Sequence, residues 1–299
     1  MTILGPGGVG GFLAAALARA GGRVLVVARE STAGVISRQG IEVHSVRLGD
    51  FTARPDADTA LHEPAEVLIV ATKATTLDSA LERIEADVEL VVPLLNGLDH
   101  MQVLRERFGA GRVAAGVIRI ESDRPEPGRI VQTSPFLRVD LASDDPGPRP
   151  RLERLAASLE AAEVPALVDA GEAQILWSKL ARLTALACTT SAADRPIGFI
   201  RTDPDWRQTL IACIGETAAV ANADGAEIDP AATLAEVDDA HPGLGSSMRR
   251  DIAAGREPEL DAIAGSVLRA GKRREIECPT IARLTLEIAA RAGIRPPQF

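Results

Sequence analysis

The six residues Gly5-Pro6-Gly7-Gly8-Val9-Gly10 constrain the fold more than any other feature of the chain. They follow a very short apolar strand, Ile3-Leu4, and lead into residues 11–20, a run of small and apolar residues that reads as a helix. The spacing is G-x-G-x-x-G, and each glycine has a physical task. Gly5 permits the tight turn, Gly7 lets the backbone approach a pyrophosphate, and Gly10 lets the helix pack closely on the strand. The helix N-terminus adds N–H donors and positive potential. Strand, turn and helix in that order are the context that this dinucleotide fingerprint requires. Residues 23–28 then form a second, buried-type strand rich in β-branched residues. It ends at Arg29, where a protein selecting a free ribose 2′-hydroxyl carries Asp or Glu. A guanidinium suits a 2′-phosphate, which favours NADP(H), while the next residue, Glu30, keeps NAD open.

The pattern beyond the turn alternates short apolar runs with helical stretches, the mark of βαβ units and a mainly parallel sheet. Strands are expected at residues 41–46, 67–71 and 90–95, with helices at 76–86 and 99–107. Residues 113–120, 129–133 and 137–142 read as consecutive strands, an antiparallel extension. A loop at 144–151, a helix at 152–162 and a strand at 164–168 complete the half. Strand patterns then cease. The expected architecture is α/β: a Rossmann-type dinucleotide-binding domain over 1–167, followed by an all-helical domain over 168–299 that carries substrate and catalysis.

Composition narrows the function. Lys plus Arg total 33 and Asp plus Glu total 42, a net charge of −9. That balance argues against nucleic acid or an anionic membrane as partner. No apolar stretch approaches the length of a membrane-spanning helix, and the chain enters its first turn at Gly5, so no cleaved leader is expected. Cys188, Cys213 and Cys278 lack CxxC spacing and fit a reducing cytoplasm better than a disulfide framework or a zinc site. His44, His62, His100 and His241 show no metal-ligand spacing, so no metal is expected. The absence of tyrosine excludes a Tyr-x-x-x-Lys mechanism, and no nucleophile-elbow or Walker motif is present. Only three basic residues are lysines, Lys73, Lys179 and Lys272. Lysine shifts its pKa readily on burial and arginine does not, which singles out a lysine in an apolar setting. Lys179 borders the helical stripe formed by Ile175, Leu176, Leu180, Leu183 and Leu186, where desolvation is expected to make it a better proton donor.

With these residues placed, the whole chain resembles the ketopantoate reductase (2-dehydropantoate 2-reductase) family. The resemblance rests on the N-terminal glycine turn, on Ala71-Thr72-Lys73 after the fourth strand and on Asn96-Gly97 after the fifth. It continues in Leu176-Trp177-Ser178-Lys179-Leu180, Ser246-Ser247-Met248 and Glu259-Leu260-Asp261. It implies an N-terminal domain that binds NADPH and a helical domain that closes over a small 2-oxo acid and reduces it to the 2-hydroxy acid. The type reaction is ketopantoate to pantoate, in pantothenate biosynthesis. By register, Lys179 matches the catalytic lysine, and Asn96 the asparagine between cofactor and substrate. Glu259 matches the glutamate that binds a substrate hydroxyl, Ser247 the serine on the substrate carboxylate, and Lys73 a lysine near the nucleotide. A homodimer through the C-terminal helices is a family-level expectation. Residue types alone support plainer roles too: Asn-Gly is a standard turn, serine before a helix is a cap, and an acidic residue near a helix start complements its dipole.

The family pattern also places asparagines four and eight residues after the catalytic lysine. Here those positions are Leu183 and Ala187, on the same helix face as Lys179. Two amides are thus replaced by an apolar wall. Two alternatives follow: a same-fold reductase for a more apolar carbonyl compound, or an NADP-binding sensor without turnover.

Overall fold

The computed structural model describes residues 1–169 and 171–299. Contacts divide them into two compact units, Met1–Leu95 with His100–Ile175, and Asn96–Asp99 with Leu176–Phe299. The first unit carries strands β1 (Thr2–Leu4), β2 (Leu25–Val27), β3 (Ile41–Ser45), β4 (Phe51–Ala53), β5 (Asp56–Asp58), β6 (Ala65–Val70), β7 (Val88–Pro93), β8 (Ala115–Arg119), β9 (Ser122–Glu126), β10 (Arg129–Gln132), β11 (Arg138–Ala142) and β12 (Ala166–Asp169). Its helices are α1 (Gly8–Arg19), α2 (Glu30–Gln39), α3 (Leu77–Leu81), α4 (His100–Phe108) and α5 (Arg149–Ala161).

Strands β5-β2-β1-β6-β7 form a parallel sheet in that order. β1 lies at its centre, with Ile3 beside Val26 on one side and Ile69 on the other. A strand only three residues long holds the centre because all three are buried, and fully burying each large apolar side chain is worth roughly 1.5–3 kcal/mol. The order reverses at β1, which creates the crevice outside the carboxyl ends where α/β sheets bind ligands. The ladder runs on past those ends through Gly5 N–H to Val27 O (3.1 Å) and Ala71 N–H to Leu4 O (2.9 Å). Helix α1 buries Phe12, Leu13 and a run of alanines, and Gly11 brings it so close to the second sheet that a Cβ there meets Ile130 Cδ1 at 2.5 Å.

The structure redraws three expectations in this half. Residues 41–46 do not join the parallel sheet. They form β3 of a second sheet, β4-β3-β10-β9, paired in parallel with β10. The edge beside β2 belongs to Asp56–Asp58, which carries no apolar alternation to signal it. β9 is likewise a polar, largely exposed edge strand, where Pro125 is tolerated. Of the consecutive strands, β8 and β11 do pair antiparallel, in a third sheet β12-β11-β8. The helix expected over 76–86 stops at Leu81, because Ile84 is drawn into a bridge with Leu61, closed by Leu61 N–H to Arg83 O (2.8 Å).

The second unit is built on α6 (Glu172–Ala193), α7 (Ile197–Thr202), α8 (Pro204–Ala223), α9 (Pro230–Asp238), α10 (Ser247–Ala253), α11 (Ser266–Arg273) and α12 (Pro279–Ala292). A π-helical turn, Asp261–Gly265, runs directly into α11. The contact division falls a little past the expected boundary at 167 and 168. Glu172 opens α6 but is tied to the first unit, where its carboxylate accepts from Arg105 and its N–H donates to Asp144 Oδ1 (3.0 Å). The overall class is as expected: α/β with a Rossmann-like sheet, then a helical region with no strand among the described residues.

Candidate functional site

The glycine turn is shaped as a cradle. Gly5 sits at φ +90°, and a Cβ there meets Thr72 Cγ2 at 2.7 Å. A Cβ on Gly10 falls 2.2 Å from Gly5 O, and one on Gly8 falls 2.2 Å from Ser122 O. Gly7 differs: nothing lies within 4 Å of its absent Cβ. Gly5, Gly8 and Gly10 are therefore glycines because the fold has no room for a side chain, and Gly7 borders open space. No side chain caps α1, which leaves its first-turn N–H groups for an anion. Pro6 completes the turn, and Val9 lies in the first turn of α1. The cradle fits a dinucleotide pyrophosphate.

The other carboxyl-end residues behave unequally. Arg29 is exposed, at the N-cap of α2, and makes no ion pair among the described residues. Lys73 is exposed, and its carbonyl accepts from Thr76 N–H at 3.0 Å. Between the two motif residues, Thr72 Oγ1 is buried and has no hydrogen-bond partner. Thr72 and Ser122 are supports that sequence reasoning missed. Thr72 stood inside the Ala71-Thr72-Lys73 signature. Ser122, which donates to Gly8 O (2.9 Å) from an exposed polar run, gave no signal.

In the second unit, α6 is fixed by its core face. Trp177 is 1% exposed and donates Nε1–H to Asp224 Oδ2 (3.0 Å), while the other carboxylate oxygen, Oδ1, accepts from Arg274 Nε (3.0 Å) in an ion pair. Leu180, Ala181, Ala185 and Cys188 are buried on the same side. Lys179 lies on the more open side, half-buried like Leu176 and Leu183, rather than sunk in the apolar stripe. Ala187 is fully covered.

Two of the matched residues meet directly. Asn96 Nδ2 donates to Glu259 Oε2 at 3.0 Å, across 163 positions of sequence. Glu259 is buried, immediately before the helical segment that begins at Leu260. Gly97 follows at φ +86°, so close to that segment that a Cβ falls 2.0 Å from Ala262 O. The serine pair divides its labour. Ser246, 3% exposed, is the cap, accepting from Arg249 N–H (3.1 Å) beside the Thr190 hydroxyl (3.1 Å). Ser247, the first residue of α10, is exposed.

The three cysteines, distant in sequence, are all buried in the helical unit. The Cys213 thiol is pushed well up by its hydrogen bond with Cys188 and by burial. Burial pushes Cys278 up to about 11. Among the described residues no group of three His, Cys, Asp or Glu is disposed to hold a metal, and no helix is long and apolar enough to cross a membrane.

Two family models match, "Ketopantoate reductase PanE/ApbA" over residues 1–142 and "Ketopantoate reductase PanE/ApbA C terminal" over residues 173–292. The chain belongs to the ketopantoate reductase family. It is 28% identical to the 2-dehydropantoate 2-reductase of Caulobacter vibrioides, over 98% of this chain and 99% of that protein. Among solved structures it resembles a 2-dehydropantoate 2-reductase from Geobacter metallireducens, at a TM-score of 0.89 and 25% identity, covering 97% and 99% of the two chains. It shares its fold with a D-mandelate dehydrogenase solved with NADH and anilino(oxo)acetate, at 0.87 and 19% identity, covering 98% of each. Membership makes the chain an oxidoreductase, and a nicotinamide dinucleotide is the cofactor that suits the cradle.

Proposed function

We propose that the protein uses NADPH to reduce a 2-oxo acid to the 2-hydroxy acid, with ketopantoate to pantoate as the type reaction. The observation that carries this reading is the 3.0 Å hydrogen bond from Asn96 to Glu259. Two residues matched to the family's substrate contacts, far apart in sequence, form one polar locus.

When bound, the reduced nicotinamide supplies the hydride for the carbonyl carbon. The chain's residues do the rest. The N–H groups of α1 hold the pyrophosphate, Arg29 pairs with the 2′-phosphate, and Lys73 serves the nucleotide. Lys179 donates a hydrogen bond from Nζ to the substrate carbonyl oxygen and passes it a proton as negative charge develops there. A positioned acid of this kind contributes roughly 10²–10⁴-fold. Asn96 fixes the orientation of the Glu259 carboxylate, which accepts from a substrate hydroxyl, and Ser247 donates to the substrate carboxylate.

A second reading concerns the substrate and rests on Leu183. It is half-buried, whereas Ala187 is fully covered, so of the two apolar replacements only Leu183 has surface to offer a ligand. An aliphatic wall there favours a branched or aromatic 2-oxo acid over a hydroxylated one. The test is NADPH oxidation at 340 nm with ketopantoate beside branched and aromatic 2-oxo acids, for wild type and Leu183→Asn. One recovered hydrogen bond is worth about 1–3 kcal/mol, so the variant should move relative kcat/KM toward ketopantoate by roughly 5- to 150-fold. An unchanged ratio removes Leu183 from specificity. Tight NADPH binding with no turnover of any 2-oxo acid contradicts the reductase reading itself.

A further inference from the structure

Asn96 lies on a four-residue excursion, Asn96–Asp99, that packs with the helical unit although the chain on both sides belongs to the other. Its anchors within the helical unit are few and specific. Asn96 bonds Glu259, Gly97 rests on the carbonyl of Ala262, and Asp99 Oδ2 accepts from Arg269 Nε (3.3 Å) and Nη2 (2.7 Å). Arg269 does more than pair with Asp99. Nη2 also donates to Asp261 O (3.2 Å), and Nη1 donates to Asp261 Oδ1 (2.7 Å) and Gln298 O (3.0 Å). A guanidinium has five N–H groups in a rigid fork, and these bonds engage all three of its nitrogens. Asp261 opens the π-helical turn two residues after Glu259, and such turns are rare and often mark functional sites. One side chain therefore ties the segment carrying Asn96 to the turn that follows Glu259.

We propose that Arg269 is a positioning residue, which acts through Asp99 and Asp261 to hold Asn96 in register with Glu259. The proposal rests on the reading of that pair as a substrate locus. Arg269 is assigned no contact of its own with substrate or cofactor. Lysine cannot replace it, because a single ammonium on a flexible stem does not reach Asp99, the Asp261 turn and Gln298 O together.

The experiment combines hydrogen exchange with kinetics on Arg269→Lys and on Asp99→Asn, the second removing the ion pair with little change of shape. Both variants should exchange amides over residues 96–99 about 10-fold faster than wild type, with other helices of the unit unchanged. kcat for a 2-oxo acid should fall by about 10-fold, while the dissociation constant for NADPH stays within about 2-fold. Because Arg269 acts through Asn96, Asn96→Ala with Arg269→Lys should be no slower than Asn96→Ala alone, within about 2-fold. Unchanged exchange over 96–99, or kinetic losses that multiply in the double variant, overturns the proposal. If wild type turns over no 2-oxo acid, the functional reading fails, and the exchange result alone decides whether Arg269 holds the segment.

Discussion

Gly7→Ala separates a glycine kept for a ligand from one kept for the fold. Gly7 has φ −73° and ψ −163°, a conformation alanine adopts freely, and nothing lies within 4 Å of the added methyl. At an N-cap alanine is worse than glycine by up to about 1 kcal/mol. Stiffening the unfolded chain returns about 0.4–1 kcal/mol. Folding stability should therefore stay within about 1 kcal/mol of wild type. Binding is another matter, because the methyl occupies the space where the pyrophosphate approaches the backbone. An overpacking penalty of about 1–3 kcal/mol corresponds to roughly 5- to 150-fold weaker dinucleotide binding. Gly10→Ala inverts the pattern: its Cβ falls 2.2 Å from Gly5 O, backbone that has nowhere to move, so stability drops. Calorimetric titration with NADPH and NADH, beside urea denaturation of both variants, measures the two effects. Wild-type affinity in Gly7→Ala, or a larger stability loss there than in Gly10→Ala, refutes the assignment of the cradle.

Two further predictions address charge. Arg29→Ala should weaken NADPH binding by about 1.5–3 kcal/mol, the worth of a hydrogen bond to a charged group, and leave NADH within about 2-fold; equal losses in fluorescence titrations remove the 2′-phosphate role. Burial, the largest influence, holds the Glu172 carboxyl above its ordinary pKa against the opposing effect of Arg105. The folded state then binds this proton more tightly than the unfolded state. Its contribution to stability therefore declines as pH rises from the ordinary carboxylate value to the raised one. Denaturation of wild type and Glu172→Gln between about pH 4 and 7 should show wild type losing ground with rising pH, and parallel curves contradict this.

What the sequence discloses follows the range of the interactions. The glycine turn was legible because its steric demands are local. Gly5 is called for by its own left-handed φ and Gly10 by the carbonyl of Gly5, although Thr72 also crowds Gly5 from far along the chain, and β1 is long enough to be read from two apolar residues. The serine pair shows the limit of such reading: either hydroxyl could cap the helix, and only the structure shows that Ser246 is the buried cap and that Ser247 is the exposed first residue of α10. Partnerships across long separations left no trace. Nothing near Asn96 announces Glu259, and the Asp56–Asp58 edge strand looks like loop because its pairing is entirely backbone. Lys179 was found by register, while its half-buried setting depends on which face of α6 Trp177 turns to the core.

The most direct test of the central claim is turnover by Lys179→Ala on whichever 2-oxo acid wild type reduces best, with NADPH affinity measured alongside. Loss of the proton donor should lower kcat by about 10²–10⁴-fold and leave NADPH affinity within about 2-fold. A kcat within about 2-fold of wild type would contradict the assignment of Lys179 as the group that protonates the carbonyl oxygen.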